Sequence, residues 1–264
     1  MIGIFDSGVG GMTVAKAVEQ LLPEKRLVYF GDLARTPYGS KSPETICKYA
    51  RQITEFLLNR GAKIIVIACN SAASVASDLL AAEFPVPVFE VITPAIEKAL
   101  AVTASNRIGV IGTRATIKSN IYEAKIRQAR RDAVVISQPC PLLVPLVEEG
   151  WLDKRETKMI LRRYLHPLKH KGVDTLVLGC THYPLLKHLI SPRIGNQVNV
   201  IDSSTAVADM VKKYLQNHPE MDKALSNGGE NLYYVSDVTD AARATAQRIF
   251  GRNLDLIQVD VEGN

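Results

Sequence analysis

The chain has 264 residues, 47% hydrophobic and 22% charged, which suits a globular protein with one large core or two smaller ones and excludes low-complexity and collagen-like classes. No apolar run approaches ~18 residues, so the pattern excludes a membrane-spanning helix. The net charge of +5 and pI near 9.0 tilt the surface toward anions, but the basic clusters at 125–131 and 154–163 carry no interleaved aromatic series, and nucleic-acid binding is not expected as the main function.

Short apolar runs alternate with longer amphipathic ones. In chain order, strands are expected at 2–5, 27–30, 64–68, 86–89, 108–111, 134–137, 175–179, 199–201 and 232–235. Helical patterns lie between them at 12–22, 43–60, 72–84, 115–130, 155–171, 206–214 and 239–250. Pro43 and Pro94 suit first-turn positions, and Gly61 suits a C-terminal cap. Strands separated by helices of this length imply βαβ units, hence an α/β protein with parallel sheets. The count suits two doubly wound sheets better than one. The expected domains are residues 1–92 with 207–264, and residues 93–206, with a ligand cleft between them. The polar stretch 217–231 reads as a surface loop with a partial helix.

Met1 runs straight into a strand-like Ile2-Gly-Ile-Phe without a charged leader, and Cys47, Cys69, Cys140 and Cys180 show no CxxC spacing. A cytoplasmic chain with reduced thiols and no metal site is the expectation.

The chemistry-bearing residues gather at strand ends. Ile4-Phe-Asp6-Ser7-Gly8-Val-Gly10-Gly11 leads from a strand into a helix. It matches neither the P-loop nor GxGxxG, and reads as a tight turn or a ligand cradle. Asp6 there suits helix capping, an ammonium, or proton handling. Gly31-Asp-Leu-Ala-Arg-Thr-Pro-Tyr38-Gly39-Ser follows the second strand as a defined loop. Cys69-Asn70-Ser71 and Cys180-Thr181-His182 follow two similar aliphatic runs. A free Cys is commonly a small buried hydrophobe. Two at matching strand tips, each before a helix start, point instead to one site with a thiol on each side, where a helix N-terminus or a cation lowers a thiol pKa. Val144-Pro-Leu-Val-Glu148-Glu149-Gly150 places two acids after an apolar turn, and spacing alone assigns them no role.

Taken in order, Asp6-Ser-Gly-Val-Gly-Gly, Gly31-Asp-x-Ala-Arg-x-Pro-Tyr-Gly, Ala68-Cys-Asn-Ser-Ala and Gly179-Cys-Thr-His-Tyr-Pro resemble the motifs of the glutamate racemases, within the aspartate/glutamate racemase superfamily. The resemblance runs from Met1 to about Val211 and more weakly beyond. It implies two doubly wound domains with the site in the cleft between them, commonly in a homodimer. It also implies interconversion of L- and D-glutamate without a cofactor, supplying D-glutamate for peptidoglycan. Under it Cys69 and Cys180 are the acid/base thiols, Cys69 acting on D-glutamate and Cys180 on L-glutamate. Asp6 and His182 assist them, and Glu149, in preference to Glu148, supplies a further carboxylate. Asp6, Ser7, Tyr38, Gly39, Asn70, Ser71, Thr113, Thr116, Thr181 and His182 hold the substrate. Ser71 stands where the family often has Thr, and the hydroxyl is kept. The alternatives are a racemase of aspartate or another small amino acid, a cysteine hydrolase with His182 as base, and a binding protein without turnover.

Overall fold

The computed structural model describes residues 1–225 and 227–261. In chain order the strands are β1 (Ile2–Asp6), β2 (Leu27–Gly31), β3 (Ile64–Ile67), β4 (Val88–Glu90), β5 (Arg107–Gly112), β6 (Val134–Pro139), β7 (Thr175–Gly179), β8 (Asn199–Asp202), β9 (Leu232–Val235) and β10 (Leu256–Gln258). They form two sheets, ordered β10-β9-β2-β1-β3-β4 and β6-β5-β7-β8, and every pairing is parallel. Parallel sheets carry helices on both faces, so their central strands read as unbroken aliphatic runs rather than alternating ones. Ile64-Ile-Val-Ile of β3 is buried at every position, each side chain stabilising the fold by roughly 1.5–3 kcal/mol.

The helices are α1 (Met12–Leu21), α2 (Pro43–Asn59), α3 (Asn70–Glu83), α4 (Ile92–Val102), α5 (Arg114–Lys118), α6 (Ile121–Ala129), α7 (Leu143–Glu148), α8 (Arg155–His170), α9 (Lys187–Ile194), α10 (Ser203–Asn217), α11 (Pro219–Ala224) and α12 (Asp240–Phe250). Local chemistry starts and stops them. Ser42 caps α2 ahead of Pro43, accepting from the Thr45 N–H at 3.3 Å. Gly251 closes α12 at φ +72°. The helix expected over 115–130 is two, because Asn120 sits left-handed at φ 58° between α5 and α6. The loop expected over 217–231 begins with α11, and the three-residue edge strand β10 was not anticipated from its pattern. The chain passes from the first sheet to the second through α4, which packs on β7 and β8, and returns through α10, which packs on α1 and α4. No helix among the described residues is long and apolar enough to cross a membrane.

Candidate active site

Both sheets reverse their winding direction once: the first between β1 and β3, the second between β5 and β7. Loops leaving the strands there part to opposite faces and open a crevice, the usual ligand position in open α/β sheets. Asp6 ends β1 and Ser7 follows it, Cys69 follows β3, and Thr113 and Cys180 follow β5 and β7. The two crevices face each other. An ideal Cβ on Gly10 of the first half would lie 2.4 Å from His182 Nδ1 and 2.7 Å from Thr181 Oγ1 of the second. A Cβ on Gly39 would likewise lie 2.6 Å from Thr113 Cβ. These glycines let the halves close on each other.

Cys69 is the N-cap residue of α3, and its thiol donates to Ser7 Oγ at 3.4 Å. The helix N-terminus does not lower its pKa as expected. Burial and the nearby Asp6 carboxylate push it up to about 12, so Cys69 rests as a thiol. Asp6 is fully buried, accepting from the Gly8 N–H at 3.0 Å and from Thr181 Oγ1 at 3.2 Å. Burial raises its pKa against the pull of His182 and of these hydrogen bonds. Asp6 therefore stands one layer behind the cavity wall, tying the Gly8 turn to the second half.

On the other side, Cys180 Sγ lies 3.8 Å from His182 Nδ1, and His182 Nε2 lies 3.2 Å from Glu148 Oε1. Burial opposes an imidazolium, but the hydrogen bonds to Cys180 and Glu148 outweigh it and lift the His182 pKa to about 10. His182 thus rests protonated at neutral pH. A folded-state value above the ordinary 6.5 means that this stabilisation is complete below pH 6.5 and is lost as pH rises toward 10.

Hydroxyl and amide donors complete the walls. Ser71 Oγ and Thr113 Oγ1 are 2.9 Å apart across the cleft, and Thr113 Oγ1 is 3.0 Å from Thr116 Oγ1. Asn70 accepts from Tyr122 Oη at 2.7 Å through Oδ1, while its buried Nδ2 has no partner within the protein. A buried, unsatisfied amide donor is costly unless a ligand accepts from it. Tyr38 is held by Asp32, which also accepts from Arg35 Nε at 2.7 Å and Ser236 Oγ at 3.0 Å.

Ser7, Tyr38, Gly39, Cys69, Asn70, Ser71, Thr113, Cys180, Thr181 and His182 line one cavity of about 20 Å³, room for about one water. Pro37 and Val144 line it as well, unanticipated. Thr116 lies behind Thr113. Glu149, the carboxylate expected to assist, is exposed at the C-terminal end of α7, whereas Glu148 touches His182. Helical phase explains this, since Glu148 lies four residues after Val144, on the side of α7 that faces the cavity. Sequence reasoning also missed the supports. Tyr122 holds Asn70, and Thr13 bonds both the Thr181 carbonyl at 3.4 Å and Ser204 Oγ at 2.9 Å. Cys47 and Cys140 lie outside the cavity. Among the described residues, no three His, Cys, Asp or Glu side chains are grouped to hold a metal ion.

The family model for Asp/Glu/hydantoin racemases matches residues 12–211. A glutamate racemase of Geobacter metallireducens is 45% identical over 262 residues, spanning 99% of this chain and 97% of that relative. A crystal structure of a glutamate racemase isoform from Bacillus anthracis superposes with a TM-score of 0.91 at 35% identity, covering 98% of this chain and 97% of that one. The glutamate racemase of Francisella tularensis, solved in complex with D-glutamate, superposes at 0.89 with 35% identity, covering 100% and 98%.

Proposed function

Because the chain belongs to the Asp/Glu/hydantoin racemase family and is an amino-acid racemase, we propose that it interconverts L- and D-glutamate by a two-thiol mechanism that uses no cofactor. The observation that carries this reading is one cavity with Cys69 on one wall and Cys180 on the other, each with its own proton partners. Racemisation removes the α-proton from one face and delivers another to the opposite face, which two fixed groups do without turning the substrate.

The two thiols sit in different surroundings. Cys69 holds its proton. His182, protonated beside Cys180, is the charge partner for a Cys180 thiolate, which takes the α-proton of L-glutamate while Cys69 delivers its own to the far face. In the reverse direction Asp6, whose pKa is raised, helps carry the Cys69 proton. The carbanion is held by preorganised donors, the orphan Asn70 Nδ2 and the hydroxyls of Ser7 and Ser71. Tyr38, Gly39 and Thr113 complete the enclosure around the carboxylates, with Thr116 supporting Thr113 from behind. A cavity sized for one water admits glutamate only when the halves, residues 1–92 with 207–264 and residues 93–206, part and then reclose around it.

Glu148, not Glu149, sets the state of His182. Glu148→Gln is expected to lower the His182 titration midpoint, read by NMR, and to reduce kcat by roughly 10- to 100-fold, the worth of a charged hydrogen bond of about 1.5–3 kcal/mol. Glu149→Gln is expected to leave both unchanged.

We assign the chain to the cytoplasm as a homodimer supplying D-glutamate to peptidoglycan. The direct test is the circular dichroism of D-glutamate over time. A racemase abolishes the signal without changing composition, whereas a hydrolase or a binding protein leaves the glutamate signal intact.

A further inference from the structure

A second feature lies outside the cavity, on the outward face of α8. Arg155, Lys158, Arg162 and Lys169 of α8, with Arg193 of α9, line a groove of about 710 Å³ whose walls carry no carboxylate. Among the described residues none of these five cations forms an ion pair. His166 and His170 extend the same row, their rings 6.3 Å apart. Like charges at i,i+4 spacing, such as Lys158 and Arg162, destabilise a helix by a few tenths of a kcal/mol per pair. The row thus costs stability in the isolated chain, a cost that a polyanion would offset.

We propose that this groove binds the phosphate backbone of a nucleic-acid duplex, without sequence preference, as an activity separate from racemisation. The cations Arg155, Lys158, Arg162 and Lys169 run along roughly 21 Å of helix, at successive steps of ~4.5, ~6 and ~10.5 Å, a one-sided row that faces a chain of phosphates. The groove is concave, which fits a strand backbone better than a flat bilayer. No Phe, Tyr or Trp lines it, so it offers no platform for stacking single-stranded bases. Contact restricted to phosphates positions a protein on a duplex without reading its sequence. The floor between the cations is apolar: Met159 is 60% exposed, beside Leu165 and Pro192.

The test is fluorescence anisotropy of a labelled 20-base-pair duplex with the full chain at 50 mM salt. Binding is expected to weaken with salt on a log–log slope of roughly −3 to −4.5, as three to five phosphate contacts imply, and to be equal for duplexes of scrambled sequence. The double variant Lys158→Glu/Arg162→Glu should bind roughly 10- to 100-fold more weakly with unchanged racemase kcat and circular dichroism, since neither residue lines the cavity. Lys48→Glu/Lys98→Glu, which reverses the same charge at exposed positions elsewhere, should bind like the parent. The proposal is overturned if the parent does not bind, if the control variant loses as much affinity as the α8 variant, or if the α8 variant binds normally. Tighter binding to phosphatidylglycerol vesicles than to the duplex, abolished by the α8 variant, would assign the groove to membranes and also overturn it.

Discussion

Cys69→Ser and Cys180→Ser are each expected to reduce turnover by about 10²–10⁴-fold in both directions, the usual worth of a positioned acid or base. A serine hydroxyl fills nearly the same space, and both thiols are buried, so each variant should retain the parent's unfolding curve. The loss is therefore chemical rather than structural. Either single variant disables both directions, because each thiol acts as base in one direction and as acid in the other. A nucleophilic hydrolase would need only one of the two. Near-parental turnover in either variant, with the fold intact, would eliminate the two-thiol mechanism.

Gly10→Ala is the second large effect expected, and it touches no reacting atom. Gly10 does not sit at positive φ, so an alanine there meets no backbone strain. What it meets is His182, with the new methyl 2.4 Å from Nδ1 and 2.6 Å from Cε1. The imidazole must move or the halves must part, and either displaces the group 3.8 Å from Cys180 Sγ. Misplacement of a catalytic group by about 1 Å costs on the order of 10²-fold in kcat. Overpacking of this kind adds roughly 1–3 kcal/mol of destabilisation. Steady-state kinetics and thermal unfolding of the same sample separate the two effects. An alanine variant with unchanged kcat and unchanged Tm would show that the halves do not close as described.

Much of this was legible in the sequence because burial on both faces leaves its mark on a parallel strand. Ile64-Ile-Val-Ile-Ala before Cys69 and Thr175-Leu-Val-Leu-Gly before Cys180 announce central strands, and the polar residues after them announce the ligand edge. What was not legible depends on partners far along the chain. Tyr122 reaches Asn70 across 52 residues, and Thr13 reaches Ser204 across 191, and no local spacing encodes either meeting. The choice between Glu148 and Glu149 turned on the phase of a six-residue helix, too short to show a period. The ionisation of Cys69 was misjudged for a related reason. A helix N-terminus is visible in sequence, but burial and an Asp6 carboxylate 63 residues away in the chain are not, and together they outweigh it.

The central claim, that different thiols serve the two faces of one α-carbon, is tested most directly by converting L-glutamate in deuterated water and stopping at low conversion. A thiol exchanges its proton with solvent, so the thiol that delivers to the product delivers deuterium. With two groups, the proton removed from the substrate never reaches the product. NMR of the separated enantiomers should show D-glutamate fully deuterated at the α-carbon, while the remaining L-glutamate is still protonated there. Early D-glutamate that retains the original α-proton would mean a single group serving both faces, and would contradict the account.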